Sequence, residues 1–521
     1  MSRVARPAAA AALLAFALSA PAVQAAPRPA AKAAGRIQPA SKADLALQAD
    51  LLAHIKVLAS DDFGGREPGT ESEAKTLRYL GQQWFDIGLV SGTNDPGHPW
   101  FAPVSLVARE PAGSAAQFAR KGRRIYLPQG SVLMLTSGSR ALVENAPLLF
   151  VGKASQADQL ARSELAGRVV VLLDAGERDS DRQNALLKAG ASAVLTVLDD
   201  GRSLAQVTAR RKRSGYALAS DALGGDLEGF IDPASFDRLA TVAGTSLAAL
   251  QAAAGDPAFV PRALDLSATL EATTRETTIR THNLIGKLEG RRPDQGAVLF
   301  MAHWDHFGQC AEPPAEHLIC NGAIDNASGV AALTEVARQL SRMPQPDRDI
   351  YFVATTAEEL GLLGAEAFAE NPPLPLKQVV AAFNIDTVAI APPGGPFAIV
   401  GRGMTRLDPQ IMAAAKAYRR KIVPGDEANT YIKRQDGWAL LQHDIPAVMV
   451  TTAYGDLARM RAFFDGDYHR PSDDLSHPLE LGGAVEDVKM LTALGRWFAD
   501  VRRVPPSALA KSRAAAPARP K

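Results

Sequence analysis

Ala297-Val298-Leu299-Phe300-Met301-Ala302 is an unbroken apolar run that ends directly in His303-Trp304-Asp305. A short run rich in Val, Leu and Phe, apolar at every position, reads as a strand buried on both faces, 297–302. The same texture recurs around it. Strands are expected at 283–288, 350–356, 378–386, 396–401 and 447–453, alternating with helices at 328–340, 360–369, 407–420 and 480–502. Such alternation builds an α/β fold, here a three-layer αβα sandwich with a mixed, largely parallel central sheet. Residues 43–90 read as two helices broken at Gly64-Gly65 and Pro68-Gly69. Between about 125 and 270 the runs are shorter: Leu148 to Val151, Val169 to Leu173 and Val194 to Val197, with a helical stretch from Asp181 to Ala189 closed by Gly190. This block reads as a β-rich insertion, 125–270, between two parts of one domain, 43–115 and 275–503.

In open α/β sheets, ligands bind beyond the carboxyl ends of the strands. Five segments place acids or histidines there. His303-Trp304-Asp305 follows the first strand. Asn321-Gly322-Ala323-Ile324-Asp325-Asn326-Ala327-Ser328-Gly329 leads into a helix with Val330, Leu333, Ala337 and Leu340 on one face. Glu358-Glu359 follows 350–356, Asp386 ends 378–385, and Asp465-Gly466-Asp467-Tyr468-His469-Arg470-Pro471-Ser472-Asp473 follows the last strand. Singly, each has a bland account. Glu358-Glu359 suits a helix start and Asp325 suits a helix cap. All five together, in order and after strands, are harder to dismiss. Adjacent carboxylates in a low-dielectric site repel unless cations compensate. Asp325, Glu358, Glu359, Asp386, His303 and His469 give nitrogen and oxygen donors without thiolates, a set suited to Zn²⁺ or another divalent ion. One zinc needs three or four protein ligands, so this many donors implies two. His303-x-Asp305 also fits a ligand held by a neighbouring carboxylate. His306, before Phe307-Gly308, reads as part of a turn and stays outside the set.

The formal net charge of +1 averages two unlike regions. No acid precedes Asp44 or follows Asp500, and twelve basic residues lie outside those bounds. The middle keeps 45 basic against 56 acidic residues, a net of −11. An acidic body excludes a strongly basic nucleic-acid binder. Arg3 and Arg6, apolar Ala8 to Leu18, and Pro21 ahead of Val23-Gln24-Ala25 give the layout of a secretory signal peptide over 1–25. Export to the periplasm or beyond is therefore expected. Residues 26–42 and 504–521, rich in Ala, Pro, Lys and Arg, read as a disordered linker and a disordered basic tail. No later segment offers about 18 uninterrupted apolar residues, so no membrane span is expected. Cys310 and Cys320, the only cysteines, suggest a disulfide in an exported chain.

The ordered motifs resemble the M28 peptidases, co-catalytic zinc aminopeptidases and their relatives. They are His303-Trp304-Asp305, Gly322 to Gly329, Glu358-Glu359-Leu360-Gly361-Leu362-Leu363-Gly364, Asn384-Ile385-Asp386 and Tyr468 to Asp473. Gly65-Arg66-Glu67-Pro68-Gly69-Thr70 matches the family's N-terminal turn, and the inserted block resembles a protease-associated (PA) domain. The resemblance implies that Asp325 bridges two Zn²⁺ ions. His303 and Asp386 complete one site, and Glu359 with His469 the other. Glu358 would be the general base and Asp305 the orienting partner of His303. The family's later Ser-Asp-x-x-x-Phe element is present only loosely, as Gln435-Asp436-Gly437-Trp438. The implied activity is release of N-terminal residues from peptides with a free amino end. Rivals on this fold are an M20-type carboxypeptidase or amidohydrolase and a single-zinc glutaminyl-cyclase-like enzyme. From another class comes a non-catalytic receptor, which would be expected to have lost ligands that this chain retains.

Overall fold

Alternate side chains of the strand Ala297–His303 enter two different cores. Val298, Phe300 and Ala302 face one, and Ala297, Leu299 and Met301 face the other. That period of two puts the strand between two helical layers. On the first face pack Lys42–Leu58, Glu71–Ile87, Gly329–Ser341 and Leu481–Ala499, through residues such as Leu51, Trp84, Leu333 and Leu491. On the second pack Leu363–Glu370 and Gly437–Gln442, through Phe368 and Leu440. The computed structural model describes residues 40–506, apart from 154–155, 157–159, 175–179, 200, 214 and 222–225. The expected signal peptide, nearly all of the expected linker and the expected tail beyond 506 lie outside the described residues.

The central strands follow the order Ala398–Val400, Ala447–Thr451, Val379–Asn384, Ala297–His303, Asp349–Thr355 and then the end of Arg262–Leu288. The inner four run parallel. The two flanking strands pair antiparallel, Leu284 standing opposite Ala354. This is the mixed, largely parallel αβα sandwich that the alternation implies. The Phe300 ring stacks on Phe352 and Phe383 at 5.8 and 5.4 Å, so one aromatic row ties three adjacent strands.

Two long strands, Phe101–Arg120 and Arg262–Leu288, pair antiparallel from Leu284 opposite Phe101 to Ser267 opposite Ala119. This ribbon is poorly legible in the sequence. Pro103, Pro111 and Gly113 interrupt one strand, and Thr, Arg and Glu crowd the other. It carries the sheet onward into four parallel strands, Arg140–Lys153, Val169–Leu173, Ala193–Val197 and Leu227–Ile231, with Val132–Thr136 antiparallel at the edge. That region has its own core around Leu148, Val171, Leu195, Phe236 and Leu239. No helix among the described residues is long and apolar enough to cross a membrane.

Asp487, wholly buried on Leu481–Ala499, holds the end of the strand Ala447–Thr451. It accepts the Thr452 backbone N–H at 2.6 Å and the Thr451 and Thr452 hydroxyls at 3.1 Å. Burial nevertheless wins, and its carboxyl is pushed up to about 8. A carboxyl that binds its proton more tightly in the folded chain stabilises fully below its unfolded pKa of about 4 and loses that contribution as pH rises through the folded value. The urea midpoint of the wild-type protein is therefore expected to fall between about pH 4 and pH 8, and less so in Asp487→Asn. Parallel midpoint curves for the two proteins count against this.

Candidate metal centre

Parallel pairing brings the carboxyl ends of the central strands to one edge, where His303 stands beside Thr355 and Met301 beside Asn384. The turns beyond those ends supply the remaining groups. All seven acids and histidines read from the motifs converge there. His303 Nε2 lies 3.3 Å from Asp325 Oδ1, 3.7 Å from Asp386 Oδ1 and 3.9 Å from Glu358 Oε2. His469 Nε2 lies 3.4 Å from Asp325 Oδ2 and 3.0 Å from Glu359 Oε2. The two oxygens of Asp325 thus face two different sets of donors. Asp305 is buried beside them. The Asp305 carbonyl oxygen is 3.2 Å from His303 Nδ1, nearer than its own carboxylate at 3.8 Å. The carboxylate instead accepts the backbone N–H groups of Glu358 (3.1 Å) and Glu359 (3.4 Å). Asp305 therefore positions the glutamate turn as well as the histidine.

Three further residues fix the loops. Asn326 accepts N–H bonds from Gly329 and Thr387 through Oδ1, and its amide donates to the Ile385 carbonyl at 3.0 Å. A Cβ at Gly329 would stand 2.0 Å from that same Oδ1, which is why the motif has glycine there. Asp473 accepts the backbone N–H groups of Ile324 (2.8 Å) and Asp325 (2.9 Å), holding the Asp325 main chain in place. Arg66, wholly buried, donates to the carbonyls of Leu58, Trp304, Asn321 and Gly322 at 2.6–3.0 Å. It ties the first helix to both ligand-bearing loops. Desolvation lowers its pKa to about 10, against the raising pull of Asp473, Asp325, Asp305 and Glu359. The Cys310–Cys320 disulfide is formed, with Cα atoms 5.6 Å apart. Its hairpin abuts Gly65, where a Cβ would lie 2.4 Å from the Cys320 carbonyl oxygen.

The site's charges demand compensation. Burial pushes Glu358 well above the usual carboxylate range, and the charges of Glu359, Asp436 and Asp386 add to this against the lowering pull of His303. Burial also lifts Asp305, to about 7. It would lift Asp325 too, but the close approach of the His303 and His469 imidazoles overcomes it and holds that carboxyl well below its ordinary value. His303 shows the counterpart. Burial disfavours its cation, yet Glu358, Asp325 and Asp386 raise its pKa well above normal. With protein groups alone, the imidazoles carry the positive charge that the carboxylates require. Nε2 of His303, Nε2 of His469 and Oδ1 of Asp386 are nonetheless buried without a hydrogen-bond partner. Unpaired nitrogen and oxygen donors aimed at shared points suit divalent cations.

His306, a turn residue by its sequence context, also belongs to the centre. Its Nδ1 lies 2.5 Å from Glu359 Oε1, its Nε2 is buried without a partner, and with Asp325 and Glu359 it forms a further donor group. Its ring occupies space that a Cβ at Gly322 would invade, 2.7 Å from Cγ. Asp436 also belongs here. It accepts the Thr355 hydroxyl, leaves its other oxygen unpaired, and is raised to about 6 by burial.

A layered α/β domain with paired donor sets at the carboxyl edge of its sheet is a scaffold suited to holding divalent cations. Residues 283–490 match the family model Peptidase family M28. It is 43% identical over 121 residues to Aminopeptidase YwaD of Bacillus subtilis (strain 168), covering 23% of this chain and 24% of the relative. It is 30% identical over 128 residues to the Alkaline phosphatase isozyme conversion protein of Escherichia coli (strain K12), covering 23% of this chain and 36% of that protein. The matches therefore span about a third or less of these curated relatives. The fold is similar to that of the aminopeptidase from Aneurinibacillus sp. strain AM-1, with a TM-score of 0.53 at 19% identity, over 87% of this chain and 94% of the other.

Arg66→Met strands four buried carbonyls and removes a charge from among carboxylates. It is expected to cost about 3–5 kcal/mol in denaturant unfolding, the scale for removing one partner of a buried ion pair. A loss under about 1 kcal/mol, as for a surface change, contradicts the anchoring role.

Proposed function

We propose that the protein is a two-zinc aminopeptidase that releases N-terminal residues from peptides with a free amino end. The observation that carries this reading is the Asp325 carboxylate, whose Oδ1 faces His303 and whose Oδ2 faces His469. His303 and Asp386 would hold one ion with Asp325, and Glu359 and His469 the other. Bound zinc supplies a Lewis acid for the scissile carbonyl and lowers the pKa of a coordinated water. Glu358 is the proton carrier. It is buried beside His303, its affinity for a proton is raised, and its backbone is pinned by Asp305. It takes a proton from water and returns it to the leaving amine. Asp305 keeps the glutamate turn and His303 in register, and Asp473 and Asn326 do the same for Asp325.

The region 125–270 is proposed to be a PA-like module that covers or positions substrate. Leu218, from this region, packs in one cluster with Ala357 and Leu363, which flank the glutamate turn, and that contact supports the role. Removal of 1–25 and work in the periplasm or outside the cell complete the proposal.

The experiment is a panel of free and N-acylated peptides offered to the zinc-loaded protein, alongside Glu358→Gln with its metal content measured. Free amino ends are expected to be required. The variant is expected to keep its metals and lose about 10²–10⁴-fold in kcat, the range for general acid–base groups. Near wild-type turnover by the variant, or hydrolysis of acylated peptides alone, overturns the reading.

A further inference from the structure

Arg434 closes the helical turn Glu427–Arg434 and is exposed. Its guanidinium lies over the Phe464 ring at 5.0 Å and the Tyr468 ring at 5.6 Å. These rings form a shelf. Tyr431 stacks on Phe464 at 5.2 Å, and Phe464 meets Tyr468 edge-on at 4.8 Å. Tyr468 in turn stacks on the His469 imidazole with centroids 3.6 Å apart. Arg434 is thus one ring removed from a proposed metal ligand.

A cation–π contact uses the charge of a guanidinium and leaves its N–H donors for other partners. Among the described residues, no carboxylate lies within ion-pair distance of Arg434. Arg66, the arginine buried within the centre, is committed to backbone carbonyls. An exposed cation, held over aromatic rings beside an acidic centre, is a ready partner for an anion brought by the substrate. The contacts from His469 through Tyr468 to Arg434 measure 3.6 and 5.6 Å. One or two extended residues, at about 3.3–3.6 Å each, bridge such a span.

We infer that Arg434 is a carboxylate-binding subsite, which takes an anionic group on the substrate one or two residues beyond the bond cleaved. The inference rests on the peptidase reading. The carboxylate is either the free end of a dipeptide or an acidic side chain, and the chemistry at Arg434 is the same.

The test compares Leu-Gly, Leu-Gly amide, Leu-Glu amide and Leu-Gln amide as substrates of the zinc-loaded wild type and of Arg434→Met and Arg434→Lys. In the wild type, Leu-Gly over its amide, or Leu-Glu amide over Leu-Gln amide, is expected to be favoured about tenfold in kcat/KM, carried by KM. The first preference identifies the chain end as the ligand and the second the side chain. Arg434→Met is expected to erase the preference, and Arg434→Lys to restore part of it. The same ratio in wild type and Arg434→Met overturns the inference. Calorimetric binding of N-acetyl-glutamate amide, N-acetyl-glycine and N-acetyl-glycine amide to the same zinc-loaded proteins reads the contact without turnover. Tighter binding of either anion by wild type than by Arg434→Met supports the subsite even if no peptide is cleaved, in which case it is the peptidase reading that fails. Equal binding of the anions by both proteins overturns it.

Discussion

Like charges buried at one edge of a sheet are the constraint on which the rest of the structure depends. Asp305, Asp325, Glu358, Asp386, Asp436 and Asp473 are all buried around that edge, with Glu359 among them. Each buried carboxylate costs several kcal/mol unless it is paired or protonated. The chain offsets this in several ways. Arg66 brings a permanent charge, the backbone N–H groups of residues 324, 325, 358 and 359 point at carboxylates, and His303 and His469 face the rest. The remaining unpaired donors account for the site's fitness for divalent ions, and the same demand explains why the loops are so heavily cross-tied.

The cross-ties have a common logic. Each turn that carries a candidate donor is held by a residue from a different turn. Asp473 holds Asp325, Asp305 holds the glutamate pair, and Asn326 reaches the turn after Asp386. Preorganisation of this kind leaves little to rearrange when a cation or a carbonyl arrives. The sandwich beneath supplies rigidity through paired cores. The ribbon 101–120 with 262–288 carries the sheet into the strands between 132 and 231, and Leu218 shares an apolar cluster with Ala357 and Leu363 beside the glutamate turn.

What the sequence revealed follows from local rules. A strand buried on both faces is apolar throughout, so Ala297–His303 and Val379–Asn384 stood out. The carboxyl-edge rule then drew attention to His303, Asp325, Glu358, Glu359, Asp386 and His469. Residues whose role depends on distant backbone stayed hidden. Arg66 bonds carbonyls at 58, 304, 321 and 322, partners that no spacing announces. His306 looked like a turn residue because its place at Glu359 depends on the missing Cβ of Gly322. Asp436, in a loosely matching segment, is placed by Thr355, a strand residue about eighty positions earlier. The ribbon was obscured by proline, glycine and polar residues that long-range pairing tolerates.

The central claim is that Asp325 stands between two metal ions, and anomalous diffraction at the zinc edge from zinc-loaded crystals tests it most directly. Two peaks are expected, one within about 2.0–2.2 Å of His303 and Asp386 and the other within that range of Glu359 and His469, with Asp325 bound to both. A single peak, or peaks that leave Asp325 unbound, would contradict it.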